Sequence, residues 1–275
     1  TIVNILHRPT YSKGGAQISV TELIDSPRLV QLRRNHSDEI EQDASEMVWS
    51  LFGSAIHNML EHGKDDNHII EERLHTEIDG WHISGAIDLQ TREDDGIVVA
   101  DYKTTSVWSV INGKESWEYQ LNIYAWLVER VKQEKVSRIE IVAILRDWSA
   151  KDAETKDNYP QAPIVTIKVP LWGSEKTEAY VRSRINEHAN AHMCNELGSE
   201  LPLCSSQDMW ERPTTFAVKK PKNTRATAVF EDMESATKKK EELGKDYVVE
   251  VRAGERVRCK KYCPVSQFCS QNKES

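Results

Sequence analysis

Asp88 and, thirteen residues on, Asp101-Tyr102-Lys103 are the residues best placed by type and spacing to do chemistry. Side chains alternate along an extended segment, so Asp101 and Lys103 share one face of a strand over Ile97–Lys103, while Val98, Ala100 and Tyr102 share the other. In Trp81–Gln90 the apolar set Trp81, Ile83, Ile87 and Leu89 occupies one face and leaves Asp88 on the opposite one. The acidic turn Arg92–Gly96 is short enough to make the two segments antiparallel neighbours, bringing the carboxylates together across the ladder. Two adjacent carboxylates repel unless a proton or cation intervenes. A hard divalent ion, Mg²⁺ or Mn²⁺, suits such oxygen ligands and can activate water against a phosphodiester. Lys103 can orient or deprotonate that water, or neutralise the phosphate.

Gln120 interrupts the apolar helical stripe Trp117, Tyr124, Leu127 and Val131, and a buried amide without partners costs about 1–3 kcal/mol. Glu71 and Glu72 lie on the strand before the Asp88 hairpin; Glu72 shares a face with Ile70 and Leu74 and is the preferred supporting carboxylate. Cys259, Cys263 and Cys269 are dense for a chain with five cysteines, and Cys204 can return to them in space. Four thiolates suit tetrahedral Zn²⁺ or an iron–sulfur cluster. Cys194 sits on a helix and reads as a small hydrophobe.

The elements that must position these groups follow from periodicity. Ser19–Arg34 reads as one helix. Ser45–His62 reads as another, with Phe52, Ile56, Met59 and Leu60 packing inward. Strands follow at Ile69–Ile78, Trp81–Gln90 and Ile97–Lys103, then a helix over Trp117–Val131 and a strand over Arg138–Leu145. A polar loop over 149–163 leads to strand Val165–Val169 and helix Glu175–Leu197. Beyond about residue 200, short strands (Phe216–Lys220, Ala226–Phe230, Tyr247–Arg252) and a helix (Met233–Leu243) suggest a small α+β subdomain. The expected architecture is α/β, a mixed sheet flanked by helices over 1–200 with a cysteine-containing subdomain over 201–275.

The chain is 39% hydrophobic and 29% charged, with a formal net charge of -8. No apolar run approaches the roughly 18 residues of a membrane span, and no secretory leader is read at the start, so a cytoplasmic protein is expected. The acidic balance does not exclude nucleic acid, because affinity comes from local basic surface. Lys219, Lys220, Lys222 and Arg225 form such a run, and Lys238–Lys240 another.

Taken together, Gly53-x-x-x-His57, Asp88, Asp101-x-Lys103 and Gln120-x-x-x-Tyr124 resemble the RecB-like branch of the PD-(D/E)XK nuclease superfamily. The resemblance implies a metal-dependent DNA nuclease, with His57, Asp88, Asp101 and the Tyr102 carbonyl as metal ligands and Lys103 catalytic. It places Gln120 and Tyr124 at the active-site edge. Asp101 stands where many members have Glu, a variation the motif allows. The segment RCKKYCPVSQFC, with Trp210-x-Arg212-Pro213 and Phe216-Ala-Val-Lys-Lys220 before it, resembles phage-encoded members and the AddB-type and CRISPR-associated nucleases that carry a 4Fe-4S cluster. Those have an upstream first cysteine; here Ser26 precedes Pro27-Arg28, and Cys204 is the available substitute. The implied activity is an exonuclease acting on linear duplex or single-stranded DNA ends, with a phage recombination or replication protein as partner. An endonuclease or nickase on the same core, or a catalytically silent DNA-binding scaffold, are the alternatives.

Overall fold

A computed structural model describes residues 12–41, 47–60, 62–63 and 66–273. Its first compact unit comprises residues up to Pro27 together with Glu41–Glu200, and its second comprises Arg28–Ile40 with Leu201–Ser275. The second unit thus takes in residues 28–40 as well as the stretch after 200.

The described chain opens with β1 (Ile18–Ser19) and α1 (Val20–Leu23), followed by α2 (Pro27–Asn35). One continuous helix was expected here. The break has a local cause. Ser19 and Glu22 form a reciprocal cap on α1, and Pro27 starts a new helix, since proline lacks an N–H and disfavours helical backbone at Ser26. Next comes α3 (Val48–Leu60), which carries His57; Ser45, its expected start, lies outside the described residues. None of its residues is buried, and Phe52 and Met59, expected inside, are 45% and 76% exposed.

Three long strands then build the centre: β2 (His68–Ile78), β3 (Trp81–Glu93) and β4 (Gly96–Thr105). After them come α4 (Val107–Asn112), α5 (Glu115–Lys132), β5 (Val136–Leu145), α6 (Ala150–Thr155), β6 (Ile164–Val169) and α7 (Ser174–Glu196). α6 lies within the stretch expected to be loop. The sheet is mixed. β2 pairs antiparallel with β3 from Ile78↔Trp81 to His68↔Thr91 along one edge of β3, with a break opposite Asp88. The other edge is shared: β1 pairs in parallel at Ile83 and Ser84, and β4 pairs antiparallel from Leu89 to Glu93. β4 also pairs in parallel with β5, and β5 antiparallel with β6.

The core packs α5 and α7 against this sheet, with Ile83, Ile87, Val99, Leu121, Leu127, Ile139, Ile141, Val181 and Ile185 among its buried side chains. Gly85 sets the approach of α5 to β3. A Cβ there would sit 2.8 Å from the Leu127 side chain and 2.9 Å from the Tyr124 ring, so only glycine lets Tyr124 lie flush on the strand.

In the second unit, after β7 (Glu211–Arg212), β8 (Thr215–Lys219) is flanked by β9 (Ala228–Phe230) and, beyond α8 (Met233–Leu243), by β10 (Val248–Arg252). β11 (Glu255–Arg256) pairs with β7. It leads into α9 (Val257–Lys261), a 3₁₀ turn (Ser266–Phe268) and α10 (Ser270–Lys273). Leu29 and Leu32 of α2 pack on Val265 and Cys269 as a small separate core.

Candidate active site

The carboxylate end of the hairpin lies where the β3–β4 ladder stops. Leu89↔Ala100 is the last backbone pair, and one step further Asp88 and Asp101 come opposite each other. There the Asp88 side chain takes over from the missing main-chain acceptor: the Tyr102 N–H donates to Asp88 Oδ2 at 2.8 Å. β4 meanwhile continues along β5, with Asp101 opposite Ile141. Asp88 therefore sits in the stretch of the β3 edge that neither β1 nor β4 covers.

Three elements bring ligand atoms to Asp88. His57 of α3 has Nδ1 3.5 Å from Glu71 Oε1 and 3.6 Å from Asp88 Oδ2, while its Nε2 donates to the Tyr102 carbonyl at 3.2 Å. Ligand atoms of His57, Glu71 and Asp88 all lie within 4.8 Å of one another, a spacing that can hold a metal ion. The expected supporting carboxylate Glu72 is elsewhere. It accepts from Lys132 Nζ and Gln90 Nε2, each at 2.7 Å, and belongs to a structural polar cluster. The switch from Glu72 to Glu71 arises at one backbone position. Glu71 has φ 51, a left-handed conformation rare outside glycine, and makes no ladder pair although it lies opposite Asp88. Such conformations cluster at functional sites.

Asp101 is not one of the three clustered ligands. Its Oδ1 accepts from Gln120 Nε2 at 3.2 Å, and the same amide donates to the Tyr124 hydroxyl at 2.9 Å. Lys103 Nζ lies 2.7 Å from Asp101 Oδ2, but that buried oxygen makes no hydrogen bond of good geometry, leaving acceptor capacity for an ion. The expected set Asp88, Asp101, Lys103, Gln120, Tyr124 and His57 is thus brought to one place, with Glu71 added and Glu72 set apart.

The electrostatics suit a cation beside Asp88. Burial, then the nearby Asp101 charge, push the Asp88 carboxyl up to about 7 against the opposing pull of His57 and Lys103. The Glu71 hydrogen bond, outweighing burial and joined by the charges of Asp88 and Asp101, raises His57. Excess negative charge in a partly dry pocket is what a divalent ion offsets.

A model of the PD-(D/E)XK nuclease superfamily matches residues 61–270. The chain belongs to that superfamily. No curated protein matches the nuclease. Among solved structures it is similar to SSO0001, at 18% identity and TM-score 0.46 over 67% of this chain and 81% of that one. It is also similar to an alkaline exonuclease, LHK-Exo, from Laribacter hongkongensis, at 11% identity and TM-score 0.37 over 66% and 90% of the two chains.

The nuclease's cysteines gather in the second unit. Cys204, Cys259, Cys263 and Cys269 line one cavity with Arg28, Leu29, Leu32 and Val265. Gln271 pins Cys204 from both sides, accepting from its N–H at 2.8 Å and donating to its carbonyl at 3.0 Å. Buried Arg28 donates to Cys269 Sγ at 3.3 Å and to the Leu201 carbonyl at 2.6 Å. Thiolates on one tetrahedral zinc stand about 3.8 Å apart. Burial raises the Cys259 and Cys263 thiols, so ligation there must displace protons. Cys194 lies on α7, in the other unit.

Of the basic residues expected to touch DNA, Lys219 is ion-paired with Glu250, and Lys220 lies 5.5 Å from the Tyr247 ring centroid. Lys222 and Arg225 are exposed. Among the described residues no helix is long and apolar enough to cross a membrane.

Proposed function

We propose that this nuclease is a metal-dependent DNA exonuclease. The observation that carries the reading is the convergence of His57, Glu71 and Asp88 beside the Asp101–Lys103 pair. His57, Glu71 and Asp88 would hold Mg²⁺ or Mn²⁺, with Asp101 and the Tyr102 carbonyl as the adjacent oxygens; the nitrogen ligand favours Mn²⁺ slightly. A bound ion of this kind offsets phosphoryl charge and acidifies water. The residues themselves do the rest. Gln120 and Tyr124 fix the Asp101 carboxylate, and Asp101 in turn fixes Lys103, which presents its ammonium to the substrate phosphate. Asp88 holds the Tyr102 amide and so the backbone between the two β4 groups.

Action at DNA ends is supported by motif order: His57, Asp88, Asp101-x-Lys103, then Gln120-x-x-x-Tyr124, as in RecB-like end-processing enzymes. The Cys segment resembles that of phage-encoded members, so a role in phage recombination or replication, inside the host cytoplasm, is the matching biology. The four cysteines would hold a 4Fe-4S cluster or Zn²⁺, a reading that rests on their lining one cavity. The role of the bound metal would be structural, tying together the cysteines that Arg28 and Gln271 already contact.

The deciding experiment is a time course on end-labelled linear DNA and covalently closed circular DNA, each with Mg²⁺ and with Mn²⁺. Loss of linear DNA from an end, with circles intact, is expected. Efficient cutting of circles would make the endonuclease alternative correct.

A further inference from the structure

Along α3, Trp49, Gly53 and His57 recur every four residues and therefore form one stripe of the helix, with Trp49 about 12 Å from His57 along the axis. This helix buries none of its residues, and Trp49 is 55% exposed. The exposed Arg146 guanidinium lies 4.5 Å from the Trp49 ring centroid. Arg146 itself is tied to the end of β4, its N–H donating to the Thr105 carbonyl at 3.0 Å, two residues past Lys103. Adjacent Asp147 accepts from the Val107 N–H at 2.8 Å, which fixes the first turn of α4 and its Trp108, 65% exposed. Lys114 completes the basic group. Partial burial, then the charges of Arg146 and Lys103, hold its ammonium below the usual lysine range. Its Nζ lies 5.5 Å from the Trp117 ring centroid. Grouped cations repel one another and favour an anionic partner.

Gly53 is the telling residue in the stripe. A glycine inside a helix weakens it relative to alanine, and here a Cβ would meet nothing within 4 Å. Among the described residues no packing requires the missing side chain. The gap between Trp49 and His57 is open to something that approaches the helix backbone closely.

We propose that Trp49, Gly53, Lys114 and Arg146 form a track for a single DNA strand leading to the carboxylate site, with a base stacked on Trp49 and phosphates on Arg146 and Lys114. Exposed aromatics between cations are how proteins grip unpaired nucleic acid, because each base offers a π-face only when it is out of a duplex. The track rests on the nuclease reading of the site and narrows its substrate to single-stranded ends.

The test is fluorescence anisotropy with the full chain in EDTA, where no cutting occurs. The probes are a labelled oligothymidylate of about twenty nucleotides and a blunt duplex of the same length. Trp49→Ala should weaken single-strand binding about tenfold or more and leave duplex binding within about twofold. Arg146→Gln should reduce the salt dependence of single-strand binding by about one phosphate contact. Gly53→Ala should also weaken single-strand binding while its thermal midpoint equals or exceeds wild type, which separates a lost groove from a lost fold. Wild-type affinity in both Trp49→Ala and Gly53→Ala, or equal losses on both probes, would overturn the track. Metal-dependent cleavage with Trp49→Ala binding unchanged would leave the nuclease standing without it. Trp49-dependent strand binding with no cleavage of any DNA would keep the track and remove the nuclease.

Discussion

The Tyr102 N–H donates to Asp88 Oδ2 at 2.8 Å at the point where β3 and β4 stop pairing. A side chain thus substitutes for a strand at the place where the sheet opens. The same contact couples Asp88 to the backbone that carries both Asp101 and Lys103, so Asp88 and the Asp101–Lys103 pair are positioned together.

The raised Asp88 group makes stability depend on pH in a defined direction. With its folded value near 7 and its ordinary value 3.8, the folded chain binds more protons than the unfolded one between them. Metal-free protein should therefore lose stability as pH climbs from about 4 to 7. His57, also raised, acts the same way: its contribution is present below 6.5 and fades as pH rises through its folded value. Thermal melts across this window should show a falling midpoint, flattened in Asp88→Asn and reversed by Mg²⁺ or Mn²⁺. A midpoint that rises with pH in EDTA would contradict the assignment.

Glu71 and Glu72 should separate cleanly. Glu71→Gln should weaken Mn²⁺ binding, by titration calorimetry, about tenfold or more. Glu72→Gln should leave it unchanged and cost about 1 kcal/mol of stability, through its bonds to Lys132 and Gln90.

Lys103→Ala should lower cleavage more than about a hundredfold while metal binding persists, since the clustered ligands remain. It also leaves the Asp101 carboxylate, 1% exposed, without its cation. The metal-free variant should melt earlier than wild type, and added Mg²⁺ should recover part of the loss.

Replacing Cys259 or Cys263 by Ser should expose residues 201–273 to protease, because ligation energy in so small a unit is folding energy. Anaerobically purified wild type should be brown, with visible absorbance and about four irons per chain. A colourless protein with one zinc would replace the cluster reading, and full protease resistance after metal removal would refute the structural role.

Strand alternation in two short segments was enough to put Asp88 opposite Asp101 and Lys103 beside it, because a residue's face in a strand depends only on its count from its neighbours. Helical spacing likewise put Gln120 and Tyr124 one turn apart on α5, where the Gln120 amide donates both to the Tyr124 hydroxyl and to Asp101. Density marked Cys259, Cys263 and Cys269, and position just ahead of their subdomain added Cys204; all four line one cavity.

Other features were decided only by contacts distant in sequence. The choice of Glu71 over Glu72 rests on one left-handed backbone position, which periodicity assumes away. Phe52 and Met59 look like core residues from their spacing, yet apolar spacing reports only that a helix has a face, not that anything covers it. Residues 28–40 join the second unit because Arg28, Leu29 and Leu32 find their partners near Cys269 and Leu201, some 170 to 240 residues away. The sequence by itself determined which groups share a face, since that is a property of one element's repeat. The tertiary structure decided which faces meet, since burial and pairing are properties of two elements at once.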